Sequence, residues 1–132
     1  MNKKNAQKYL LKKEEWNVVK PYYDEVNNAW ENCSNIKNIP NAEMIKLDSI
    51  NTIYKAQVKL MKADKQFNYS ENLNHFRKEF ITLLNGIIKI LDRVVSSWLD
   101  NKVVNYKIEK INLKKAIRRM DKKISTYKII GR

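Results

Sequence analysis

The stretch that most constrains this chain is Phe80–Leu99, FITLLNGIIKILDRVVSSWL. Two apolar rows run through it and its lead-in. One is Leu73, Phe76, Phe80, Leu83, Ile87, Ile90 and Val94; the other is Ile81, Leu84, Ile88, Leu91, Val95 and Trp98. Both advance by alternate steps of three and four, the spacing at which helical side chains stack on one face. Together they leave one narrow polar stripe, Thr82, Asn85, Gly86, Lys89, Asp92, Arg93, Ser96 and Ser97. A helix with so wide an apolar surface needs at least two neighbours to bury it. The expectation is a central helix of an all-α bundle. A membrane span of this length is disfavoured, because Lys89, Asp92 and Arg93 would lie in hydrocarbon.

The other segments carry the same period. Tyr9, Trp16, Val19, Tyr23, Val26 and Trp30 share one face, with Pro21 inside the run. Proline removes a backbone donor and crowds the preceding turn. The sequence therefore leaves two readings open: a kinked helix over 3–34, or a helix ending near Val19 and another starting at Pro21. Residues 32–41 cluster Asn, Ser and Pro and read as a loop containing Cys33, with Pro40 suited to the first turn of the next helix. Over 41–66, Met44, Leu47, Tyr54, Val58 and Met61 form one row, interrupted by Asn51, and Ile53, Ala56, Leu60, Ala63 and Phe67 form another. Two apolar sides predict a second inner helix. Ser70 is placed to cap the central helix. Asp100-Asn101 suits either a tight junction or the interior of a continued helix. A last helix over about 102–127 has Tyr106, Leu113, Ile117, Met120, Ile124 and Tyr127 as its core row. Gly131 and Arg132 are expected to fray.

With only two glycines and two prolines in 132 residues, turn formers are too scarce for an all-β or α/β chain. The expectation is one helical domain over 1–132: an antiparallel bundle of four long helices, or five if the first breaks at Pro21. An even number of antiparallel helices puts both chain ends at one end of the bundle.

Charge is segregated. Residues 21–101 hold ten basic and ten acidic side chains, residues 1–20 six and two, and residues 102–132 eleven and two. The abundance of Asn, Lys and Ile matches AT-rich coding, as in a low-GC bacterium or its phages and mobile elements. That bias would spread lysine evenly, so its concentration at the ends points to an anionic partner. The doublets Lys114-Lys115, Arg118-Arg119 and Lys122-Lys123 recur every four residues and stack on one helix face, with only Asp121 inside the run. Such a stripe suits phosphates of a nucleic acid, with Lys3, Lys4 and Lys8 assisting if the ends converge. The plainer alternative is a solvated face, or cations complementing a helix C-terminus.

Catalytic signatures are missing. His75 is the only histidine and Cys33 the only cysteine, so neither a zinc site nor an intrachain disulfide is expected, and no cofactor is implied. There is no Gly-rich phosphate loop, nucleophile elbow or Glu-x-x-His pair. No histidine follows His75, which removes the late arginine–histidine motif that helical ribonuclease toxins of the HEPN class need. No helix-turn-helix signature is legible, so backbone contact is favoured over base reading. No apolar segment of signal-peptide length stands at the N-terminus, which suggests a cytoplasmic setting or a chain whose signal has been removed. The expected function is non-enzymatic binding of nucleic acid or a nucleoprotein complex. The alternative is an inhibitor, adaptor, immunity or assembly protein that meets an acidic or apolar protein surface, or a second copy in a homodimer. It would act through Val104, Ile108 and Ile111, on the same face as the doublets, and an exposed Tyr22.

Overall fold

The computed structural model describes residues 10–34 and 40–130. In chain order it contains β1 (Leu10–Lys12), α1 (Lys13–Ser34), α2 (Pro40–Ala63), a 3-10 turn (Lys65–Asn68), α3 (Glu71–Leu99), α4 (Val103–Ser125) and β2 (Lys128–Ile130). This is the expected all-α bundle of four helices. Its antiparallel course is visible in side-chain contacts that run in opposite order along successive helices. Tyr54 of α2 bonds the carbonyl of Val26 in α1, while Tyr22, earlier in α1, reaches Asp64 beyond the end of α2. Trp98 meets Tyr106 where α3 passes into α4, Arg93 meets Glu109, and His75 meets Tyr127 at the far end.

The central position of α3 follows from its two rows. It packs most broadly on α4 and next on α2. Its rings also meet α1, Phe76 with Trp16 and Phe80 with Tyr23. Leu73, Phe76, Phe80, Leu84, Ile87, Ile88, Leu91 and Val94 are all buried. Ser97, assigned by the pattern to the polar stripe, is buried as well. The helix begins as expected: the Ser70 hydroxyl accepts the backbone N–H of Leu73 at 3.1 Å. It ends at the tight junction. Asn101 adopts a left-handed φ of 58°. The Asn101 N–H reaches the Trp98 carbonyl at 3.1 Å and the Lys102 N–H reaches Ser97 at 2.8 Å. That pair of bonds is the Schellman arrangement, which satisfies carbonyls left over by the last helical turn.

Four expectations are corrected. First, α1 starts at Lys13 rather than near residue 3; of the two readings left open at Pro21, the helix takes the one that runs through the proline. Asn17, whose carbonyl loses its partner to the proline, is exposed, as is Pro21, so water can serve that carbonyl. Burial of Val19 and Val26 on either side of the proline favours continuity. Second, residues 10–12 are extended, because they pair in parallel with 128–130, Leu11 opposite Ile129. Third, α2 is not inner on two sides. Leu47, Ile50, Tyr54, Val58 and Met61 are buried, whereas Ala56, Leu60 and Ala63 of the second row are exposed and Phe67 is buried from the 3-10 turn instead. Fourth, Cys33 falls in the last turn of α1, not in the loop. The loop's centre at 35–39, Tyr9, Gly131 and Arg132 lie outside the described residues. Pro40 does open α2. At the polar interruption of α2's first row, a polar link forms. Buried Asn51 donates to Asp92 on α3 at 2.7 Å, and Lys55 approaches the same oxygen at 3.4 Å.

The α3–α4 junction gives a stability test. A β-branched side chain at left-handed φ is strained, while glycine is at ease there. Asn101→Val is expected to lower unfolding free energy by about 1–2 kcal/mol, and Asn101→Gly to leave it near wild type, both read by urea denaturation.

Candidate cationic interface on α4

The six residues of the predicted core row of α4, Tyr106 through Tyr127, are all buried against the bundle. With that face committed, the opposite face of the helix must point outward. Lys114, Lys115, Arg118, Arg119 and Lys122 are exposed on it, and Lys123 is partly buried. Among the described residues, none of Lys114, Lys115, Arg118, Arg119 and Lys122 enters an ion pair. Two cations elsewhere, one on α4 and one on α3, are paired. Lys110 pairs with Glu43 at the start of α2, and Arg93 donates to Glu109 at 2.6 Å. Lys110 of α4 and Arg93 of α3 are thus neutralised, while among the described residues Lys114, Lys115, Arg118, Arg119 and Lys122 are left without an ion pair.

Those doublets form two rows, Lys114–Arg118–Lys122 and Lys115–Arg119–Lys123. Like charges four apart on a helix repel by a few tenths of a kcal/mol per pair. Asp121 is the one acid inside the run, and partial desolvation raises its carboxyl above its ordinary value. As pH falls it is protonated earlier than an ordinary aspartate, and the stripe becomes more positive. Arg119, Lys122 and Lys123 also border a groove on the α3–α4 seam, with Glu79, Thr82, Leu83 and Thr126. The Thr82 and Thr126 hydroxyls donate to the carbonyls of Lys78 and Lys123 within their own helices. The carboxylate of Glu79, 3.5 Å from His75 Nε2, adds negative charge to this groove. An anion is therefore better received on the outer rows than in the groove floor.

The other predicted residues separate. Val104, Ile108 and Ile111 are exposed at 70%, 50% and 54%, so the apolar patch is open. Tyr22 is engaged inside the bundle. Its hydroxyl donates to Asp64 Oδ2 at 2.6 Å and its ring lies 5.6 Å from Phe67. Asp64 uses its other oxygen to accept the N–H of Gln66, so this bond ties α1 to the α2–α3 turn. Neighbouring Tyr23 packs on Trp16 and Phe80. Lys3, Lys4 and Lys8 lie outside the described residues. Within the described residues, β1 and β2 bring residues 10–12 and 128–130 side by side. Sequence reasoning missed this strand pairing: two three-residue segments, 118 positions apart by number, carry too little alternation to stand out.

Among the described residues no group of three or more His, Cys, Asp or Glu is placed to hold a metal ion, and no helix is long and apolar enough to cross a membrane. No protein-family model, curated protein or solved structure matches the chain. What fold and site define together is a four-helix bundle with one outward helix face rich in unpaired cations.

Burial and the bond to Asp64 push the Tyr22 phenol from the ordinary 10.0 up to about 12. The neutral phenol is the form that the fold favours. Its stabilising contribution is therefore complete below pH 10 and is lost as pH rises towards 12. In an alkaline absorbance titration, the Tyr22 phenol should ionise late. That late step should vanish in Tyr22→Phe.

Proposed function

We propose that this chain is a non-enzymatic nucleic-acid-binding bundle that holds its ligand through phosphate contacts along the outer face of α4. The observation that carries this reading is the row of exposed cations Lys114, Lys115, Arg118, Arg119 and Lys122, unpaired among the described residues, on a helix whose opposite face is committed to the core. A duplex or single strand would replace the mutual repulsion of these groups with phosphate contacts and release its condensed counterions. Such contacts position a nucleic acid without reading its sequence. Lys123, beside the groove, and the basic N-terminal residues Lys3, Lys4 and Lys8 would extend the contact. A phage or mobile element of a low-GC bacterium is a setting consistent with the composition.

The test is fluorescence anisotropy with labelled random-sequence duplex DNA and RNA. With five or six phosphate contacts, raising salt from about 50 to about 200 mM should weaken binding to duplex DNA by roughly 10³-fold. The variant R118E/R119E/K122E/K123E should bind too weakly to measure at the lower salt, with unchanged helical circular dichroism. Affinity that does not respond to salt, or survives the charge reversal, would overturn the reading.

A further inference from the structure

The outward edge of α4 is one continuous line. Val104, Ile108, Ile111, Lys115, Arg118 and Lys122 follow one another at alternating steps of four and three. This spacing stacks helical side chains into one stripe. The stripe lies opposite the buried row, and over about 27 Å its chemistry changes once. Its first half is apolar and half or more exposed; its second half is cationic and, among the described residues, without ion pairs. Lys107, Lys110 and Lys114 border Ile111 in a shallow cleft, with Lys110 already paired to Glu43.

Four occupants can be weighed by their chemistry. A nucleic acid offers phosphate along its whole length and nothing apolar for Ile108 and Ile111. A bilayer suits helices whose cations flank the apolar stripe; here the cations continue it in line, so they would be carried down to the same depth as the isoleucines. A second copy brings an identical edge. Set parallel, it opposes cations with cations, and set antiparallel it lays cations on isoleucines, in a chain already at net +13. The three-four seam is the surface on which another helix packs its own seam. The charge along it selects a helix that is apolar over one half and acidic over the other, with further acids opposite Lys107 and Lys114. We infer that the outer edge of α4 docks an acidic amphipathic helix of a partner polypeptide. This surface does not depend on the phosphate-binding reading. If both hold, the two ligands share Lys115, Arg118 and Lys122 and exclude one another.

The probe is a labelled synthetic helix of roughly 20 residues, with leucines on its seam in one half and glutamates in the other, made in both chain directions. A companion peptide has serine for each leucine. Anisotropy is measured with wild-type protein and with Ile108→Lys, an exposed substitution whose thermal melt should match wild type. One direction of the probe is expected to bind wild type. Both the serine companion and Ile108→Lys should weaken that binding by at least about tenfold. Equal binding of the serine companion, or unchanged affinity of Ile108→Lys, would overturn the inference. So would a dimer in sedimentation that Ile108→Lys dissolves, which would make the occupant a second copy. Binding to phosphatidylglycerol vesicles that needs Ile108, with no binding of the probe, would overturn it in favour of a bilayer.

Discussion

Phe76 sits where the bundle is closed. Its ring is fully buried and meets Trp16 of α1, Phe80 one turn along α3 and Tyr127 just beyond α4, the last with ring centres 4.5 Å apart in an edge-on arrangement. Edge-to-face aromatic pairs add to the burial of their area. This junction joins the first helix, the central helix and the end of the last. The polar bonds around it work in the same place. Glu15 accepts the Lys12 N–H and the Ser70 hydroxyl, and Asn72 donates to the Leu10 carbonyl. The start of α1 and the start of α3 are thereby locked together, and β1 is held against β2 above them.

With the ends fixed there, the orientation of α4 is decided. Tyr127 at one end and Tyr106, against Trp98, at the other pin its inner row. Among the described residues, Lys114, Lys115, Arg118, Arg119 and Lys122 then have no ion-pair partner. Charge on this face contributes nothing favourable to folding and a little that opposes it. A surface of this kind is understandable as a site kept for an outside anion, which is the basis of the proposed function.

Much of this was legible in the chain itself. Every member of the α4 core row is buried, and the Ser70 cap and Pro40 start were visible from residue type alone. Such features are local: a 3.6-residue period, or a hydroxyl three positions before an orphan N–H, is written in neighbouring residues. The errors arose where a local pattern needed a distant partner. Leu60 belongs to an apolar row but finds no helix opposite it, so it stays exposed. Ser97 reads as polar surface but is covered where α3 turns into α4. Tyr22 reads as a spare aromatic until Asp64, 42 residues away, accepts its hydroxyl.

The sequence by itself determined the all-α bundle, the buried faces of α3 and α4 and the segregation of positive charge, because periodicity and composition act over a few turns of chain. Only the tertiary structure decided that residues 10–12 and 128–130 pair as strands, that Lys110 and Arg93 are neutralised, and that Val104, Ile108 and Ile111 remain open. Each of these depends on which side chains meet across helices, a matter of packing geometry between residues far apart in the chain.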